Sequence, residues 1–218
     1  MNTVLITGIS RGIGKALAEK FLHEGYFIIG TSTNGIAELQ HENLKVFALD
    51  LSKPESIKEC VSQIVEINKK IDILINNAGT WSGAEGDPVV HMDYLRKTLE
   101  INLIGTIDFT EQIIPVLHEN AHIINVSSRA GSIERSYHAN YPDYKISKAA
   151  INMYTKVLSI RFGEKFTASS VHPGWVKTDM GGMEADLEPQ EAAEDIYKLA
   201  ISRPETGQFW YKGEKFPW

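Results

Sequence analysis

Seven short apolar runs alternate with longer amphipathic stretches along the whole chain. The runs are VLI (4–6), YFII (26–29), VFAL (46–49), IDILI (71–75), HIINV (122–126), TASSVH (167–172) and FWY (209–211). Between most of them, Ile13–Glu24, Glu55–Asn68, Asp93–Leu117, Lys145–Phe162 and Pro189–Ile201 carry apolar residues at helical period. The runs contain few alternating polar residues, which suits strands buried on both faces by crossover helices. The pattern predicts a three-layer, doubly wound α/β fold around a mostly parallel seven-stranded sheet. In such a sheet, ligands sit beyond the carboxyl ends of the strands.

The 218 residues suffice for one well-buried domain, and no linker or repeat interrupts the series, so one domain over 1–218 is expected. Lys and Arg number 22 against 28 Asp and Glu, a formal net charge of −6, without a basic cluster. Nucleic-acid binding through phosphate attraction is therefore not expected. The single cysteine, Cys60, reads as a small buried hydrophobe and excludes an internal disulfide, which suits a reducing compartment. Met1 is followed at once by a strand-like run, and no apolar stretch reaches about 18 residues, so a cytoplasmic protein without membrane contact is expected. Histidines are scattered, so no metal, haem or flavin is expected.

After the first run stands Thr7-Gly8-Ile9-Ser10-Arg11-Gly12-Ile13-Gly14, between a strand and an amphipathic helix. Glycine at 8 and 12 permits a tight turn and close approach of a pyrophosphate to backbone N–H groups; Gly14 permits close helix–sheet packing. The helix N-terminus then supplies partial positive charge for phosphates. This context points to a Rossmann-type dinucleotide site.

The GxxxGxG spacing, with Asn76-Asn77-Ala78-Gly79 after the fourth run, resembles the short-chain dehydrogenase/reductase family. The resemblance implies that Asn77, Ala78 and Gly79 line the cofactor path. At the exit of the second strand, Ser32 and Thr33 stand where an acidic residue would repel a ribose 2′-phosphate, and Arg11 is placed to meet that phosphate. NADP(H) is preferred over NAD(H) on this reading; a solvated loop charge is the alternative for Arg11. Asp50-Leu51 matches the family's adenine contact, with a helix N-terminal role for Asp50 or Ser52 as its rival.

A carbonyl reductase needs a weak acid beside its hydride donor, and tyrosine serves if an ammonium one helical turn along lowers its pKa. Tyr-x-x-x-Lys occurs twice, as Tyr141–Lys145 and Tyr144–Lys148. The segment YKISKAAINMYTK from Tyr144 resembles the family's YSASKAALNMLT, whereas Tyr141 precedes Pro142 at a helix start. Tyr144 and Lys148 are therefore the expected pair. Lys148 would also hold the nicotinamide ribose. Ser128, in SSRAG, corresponds to the family's serine that hydrogen-bonds the carbonyl, with Ser127 as competitor. Ser128 and Tyr144 are sixteen positions apart, more than in many members, which a loop insertion at 132–140 accommodates. Asn102, in EINLIGT, matches the helical asparagine that orders a relay water; local backbone bonding is its plainer role.

The segment HPGWVKTDMGG (172–182) resembles the family's loop past the nicotinamide, giving Pro173, Gly174, Val176 and Thr178 as cofactor contacts. With the terminal GQFWYKGEKFPW it is most similar to the sniffer/C-factor subgroup. Few residues separate Gly182 from Pro189, so a short lid and an open pocket for a small carbonyl or alcohol are expected. Trp81, Tyr137, Trp175 and Met180 could line it, although aromatics there more often serve packing. The resemblance also implies homodimers or homotetramers built on helices around 93–117 and 144–162. The rival readings are a catalytically silent NADP(H)-binding regulator and an epimerase or dehydratase of the extended branch. Both Tyr144 and Lys148 count against the first, and the glycine spacing and chain length against the second.

Overall fold

A computed structural model describes residues 1–84 and 86–218. Its sheet has the order β3-β2-β1-β4-β5-β6-β7-β8. The first seven strands are parallel: β1 (Thr3–Ile6), β2 (Phe27–Ser32), β3 (Leu44–Ala48), β4 (Ile71–Asn76), β5 (Leu117–Val126), β6 (Thr167–Val171) and β7 (Gln208–Tyr211). A two-residue β8 (Glu214–Lys215) adds an antiparallel rim. The chain runs β1 to β3 in one direction, then returns to place β4 on the other side of β1. This reversal opens a crevice at the carboxyl ends of β1 and β4.

Alternation along the strands divides the core in two. Leu5, Ile29, Leu74 and Ile123 face the helices α2 (Pro54–Glu66), α4 (Thr106–Ile113) and α5 (Pro142–Phe162). Val4, Ile6, Ile28, Ile75 and Ile124 face α1 (Gly12–His23) and α6 (Pro189–Ile201). Central strands β1 and β2 are buried at every position, whereas edge strand β3 is largely half-buried or exposed. Cys60 lies in the first core, its thiol pushed up to about 12 by burial. A buried polar belt ties the middle strands together. Asn76 Nδ2 donates to Asn125 Oδ1 at 2.8 Å, Asn125 Nδ2 donates to Thr155 Oγ1 at 2.8 Å, and Thr155 and Ser170 share a hydrogen bond of 2.8 Å.

The helix expected over 93–117 is not continuous. It divides into α3 (Met92–Leu99), a π-helical turn at Glu100–Gly105, α4, and a 3₁₀ turn at Ile114–Val116. The widened turn lets the chain lie against the end of β3: a Cβ on Gly105 would stand 1.8 Å from the Leu51 carbonyl oxygen. Among the described residues, no helix is long and apolar enough to cross a membrane.

Candidate active site

The glycine turn after β1 is held by the segment after β4. Thr7 Oγ1 accepts the backbone N–H groups of Asn77 and Ala78 at 3.0 Å each. Asn77 Nδ2 donates to the Thr7 and Gly8 carbonyls at 2.9 and 3.1 Å. Gly8 (φ +74°) and Gly12 (φ +55°) adopt left-handed backbone that disfavours side chains. A Cβ on Gly14 would stand 2.1 Å from the Gly8 carbonyl oxygen, so the third glycine is demanded by the loop itself.

This turn opens α1, whose N-terminus differs from the others. The remaining five α-helices carry an acidic residue in the first turn; α1 has none, and its N-cap, Arg11, makes no side-chain cap. The N-terminal N–H groups and the helix dipole are thus left for an external anion. Ser10 is exposed and Ile13 half-buried beside them. The residues present fit a dinucleotide.

At the adenosine end, Ser32 is buried and its hydroxyl donates to the Ile36 carbonyl at 2.8 Å, while Thr33 is exposed. Neither brings negative charge. Asp50 Oδ1 accepts from the Ser52 backbone and hydroxyl at 3.0 and 2.6 Å, and Oδ2 pairs with Lys53 at 3.0 Å. Hydrogen bonding from Ser52, then from Lys53, holds this carboxyl below its usual range. Asp50 thus orders the turn that precedes α2 without capping the helix, whose N-cap is Lys53, and Leu51 is buried. Arg11 pairs with Asp179 at 2.6 Å, both side chains being largely exposed. A 2′-phosphate meeting Arg11 would displace that carboxylate.

Ser128, Tyr144, Lys148 and Asn102 converge beyond β4 and β5. Ser128 follows β5 and caps a 3₁₀ turn, its Oγ accepting the Ala130 N–H at 3.1 Å. Its hydroxyl also hydrogen-bonds Tyr144. Ser127, the competitor, is fully buried and donates to the Lys148 carbonyl at 3.3 Å, a structural role. Tyr144 and Lys148 share a face of α5, with Nζ 5.5 Å from the phenol ring centroid. Lys148 is 6 % exposed and donates to the Val126 carbonyl at 2.8 Å. A Cβ on Gly79 would lie 3.3 Å from Asn102 Oδ1 and 3.6 Å from Lys148 Nζ, so the NNAG segment abuts both.

Burial acts on both members of this pair. Burial raises the Tyr144 phenol to about 12, opposed by hydrogen bonding from Ser128, and burial lowers Lys148 to about 8. The ammonium is directed to the Val126 carbonyl and is itself disfavoured by burial. Burial thus favours the protonated form of the Tyr144 phenol.

Asn102 sits in the π turn. Its Oδ1 accepts the Thr80 N–H at 2.7 Å, and its Nδ2 donates to the Thr80 carbonyl and Ser147 Oγ at 2.8 and 3.0 Å. All of these bonds fasten the NNAGT segment and α5 to one another, the plainer of the two roles weighed for this residue. Tyr141 lies outside the helix in left-handed backbone (φ +60°), packed edge-on against Trp81 with ring centroids 4.9 Å apart. Lys145 Nζ bonds Ser136 Oγ and the His138 carbonyl instead, pinning the 132–140 loop. The alternative Tyr141–Lys145 register is thereby spent on structure.

The segment after β6 closes over the cofactor turn. A Cβ on Gly12 would stand 3.1 Å from Thr178 Cγ2, and Thr178 Oγ1 accepts the Gly181 N–H at 3.1 Å. Gly174 (φ +91°) has no room for a Cβ, which would meet Leu187 Cδ1 at 2.4 Å; Pro173 is half-buried and Val176 is buried and bridged to Leu187. Met180, Trp175 and Tyr137 are exposed, and Trp81 is half-buried.

Three features carry no sequence signal of the kind used above. The π turn is one; the Arg11–Asp179 pair is another. The third is the Thr98 hydroxyl donating to the buried Asp143 carboxylate at 2.6 Å, which locks α3 to the first turn of α5 beside Tyr144.

Residues 2–189 match the short chain dehydrogenase family. C-signal of Myxococcus xanthus is 34 % identical over 159 residues, covering 68 % of this chain and 93 % of that protein. The carbonyl reductase Sniffer of D. melanogaster superposes with a TM-score of 0.89 at 28 % identity, covering all of both chains. A short-chain dehydrogenase/reductase from Burkholderia multivorans with bound NADP also has a TM-score of 0.89, at 26 % identity over 100 % of this chain and 99 % of that one. The glycine turn, its NNAG brace and the Tyr-x-x-x-Lys face thus stand on a shared fold, and the chain belongs to the short-chain dehydrogenase/reductase family, in its sniffer/C-factor-like subgroup, as an oxidoreductase acting on CH–OH and C=O groups.

Proposed function

We propose that the chain is a single-domain, NADP(H)-dependent carbonyl reductase/alcohol dehydrogenase with Tyr144 as its proton donor and acceptor. The reading rests on one observation above all: a protonated phenol hydrogen-bonded by a serine hydroxyl and a buried lysine meet beside a glycine turn whose helix N-terminus lacks any acid. NADPH, when bound, supplies the hydride. The α1 N–H groups hold its pyrophosphate, and Arg11, with neutral Ser32 and Thr33, favours the 2′-phosphate. Ser128 donates to the substrate oxygen and stabilises the charge that develops there. Tyr144 delivers its proton to that oxygen, and Lys148 holds the ribose hydroxyls and replenishes the phenol's proton. Asn102 positions Thr80 and Ser147 around them.

Support for NADP(H) over NAD(H) also comes from the Burkholderia neighbour with bound NADP. Self-association is proposed on α5, where Ile146, Met153, Val157 and Ile160 are exposed along one side. Steady NADPH oxidation with small aldehydes and diketones tests the activity, and Tyr144→Phe should reduce kcat by at least about a hundredfold. Tyr141→Phe should stay near wild type. Binding of NADPH without turnover of any carbonyl would favour the silent regulator, and full turnover by Tyr144→Phe would overturn the assignment.

A further inference from the structure

The residue after the candidate serine is an arginine without a partner among the described residues. Arg129 is exposed, and among the described residues its guanidinium has no ion pair and no hydrogen bond. Four of the other five arginines are engaged. Arg11, Arg96 and Arg161 pair with Asp179, Asp93 and Glu111, and Arg135 donates to the Tyr137 hydroxyl at 3.1 Å. Among the described residues no carboxylate neutralises this guanidinium, one residue from Ser128.

Its placement is fixed. Consecutive Cα atoms lie about 3.8 Å apart, so Arg129 starts within one residue of the hydroxyl that meets the carbonyl oxygen. The 3₁₀ turn Arg129–Gly131 cannot slide. The Gly131 N–H donates to the Ser128 carbonyl at 2.9 Å, and a Cβ on Gly131 would meet the Lys148 carbonyl carbon at 2.5 Å. On its other side stands His172, at the end of β6 just before Pro173 and Gly174. That ring is buried and stacked on Tyr211 with centroids 4.7 Å apart. Burial, and then the charge of Arg129, lower His172 to about 4, so at neutral pH it is uncharged and sets no like charge beside the guanidinium. Arg129 therefore occupies the gap between the ends of β5 and β6, with the serine on one flank and the post-β6 loop on the other.

We infer that Arg129 selects carbonyl substrates bearing an anionic group, a carboxylate or phosphate, a few bonds from the reacting carbon. The inference rests on the carbonyl-reductase reading. A guanidinium presents two parallel N–H donors that match either oxyanion, and its hydration is weaker than that of an ammonium, so it exchanges water for a ligand readily. With Ser128 on the carbonyl oxygen and Arg129 on the anion, the substrate is held at two points and its carbonyl face is set toward the cofactor turn.

The test is a matched series with NADPH: 4-oxopentanoate, its methyl ester, and the phosphonate of equal length. The wild-type protein should show a KM for the acid at least about tenfold below that of the ester, the size of one charge-assisted pair. Arg129→Met should raise the KM of the acid to that of the ester while kcat and the ester's own KM hold, with NADPH affinity unchanged as a check on folding. Arg129→Lys should restore part of the difference, and the phosphonate distinguishes which oxyanion fits better. Turnover of the ester with no preference for either anion, or an equal effect of Arg129→Met on acid and ester, would overturn this inference and leave the carbonyl-reductase reading standing. Failure of every compound, neutral ones included, would overturn both.

Discussion

Lys148 is held where its charge is unwelcome, and removing it should make the protein more stable while ending its activity. A fall from 10.5 to about 8 means that the folded chain holds the ammonium at a cost of about 3 kcal/mol at neutral pH, at about 1.36 kcal/mol per pKa unit. Lys148→Met keeps the apolar stem, removes that cost, and forfeits the bond to the Val126 carbonyl, worth about 2 kcal/mol for a charged donor. The net is a stabilisation of about 1 kcal/mol at pH 7, or roughly 2–4 °C in Tm for a chain of this size. The pH dependence carries a sign. Below about 8 both folded and unfolded wild-type chains are protonated and the cost is present in full; between about 8 and 10.5 the unfolded chain holds more protons, so wild-type stability rises with pH. Lys148→Met lacks this rise. The difference between the two proteins, in which groups titrating alike cancel, should hold steady up to about pH 8, vanish within about one unit above that and then reverse as the neutral lysine keeps its bond. Thermal melts of the cofactor-free proteins across that range measure it. A variant less stable than wild type at pH 7, or a difference flat with pH, would refute the argument that burial dominates this lysine.

Gly14→Ala should force the Gly8 carbonyl and Asn77 apart, since its Cβ would lie 2.1 and 2.5 Å from them; a loss of about 2–4 kcal/mol and at least tenfold weaker NADPH binding are expected, and a wild-type melt with wild-type titration would contradict this. Asp179→Asn frees Arg11 and should tighten NADPH about two- to fivefold, the range of an exposed ion pair, without changing NADH. Equal effects on both cofactors in fluorescence titrations would show that Arg11 does not meet the 2′-phosphate. Met153→Lys with Ile160→Lys, both exposed on α5, should shift the protein to monomer by light scattering with its melt preserved; a wild-type protein already monomeric would remove the α5 contact.

What could be read beforehand divides along a physical line. Period and burial are written locally, so the seven parallel strands and the helix Pro189–Ile201 followed from apolar spacing, as did the glycine turn from the demand for room at Gly8, Gly12 and Gly14. The π turn at Glu100–Gly105 was not legible, because the pattern of Asp93–Leu117 is helical throughout and the reason for widening lies 54 positions away in the Leu51 carbonyl that Gly105 must pass. The same holds for charge. The Tyr-x-x-x-Lys spacing gives proximity, but proximity alone implied a depressed phenol. How far the phenol is depressed depends also on the dielectric around both groups and on where the ammonium points, neither of which is written in the spacing, and here the Val126 carbonyl takes Nζ while burial acts on each partner. Burial favours the neutral form of both groups, a protonated phenol and an uncharged amine, and only the second is close to neutrality. On the proposed mechanism a protonated Tyr144 suits the reduction of a carbonyl, and running the reaction toward oxidation requires that Tyr144 first lose its proton, so the alcohol-oxidising direction should gain most as pH rises.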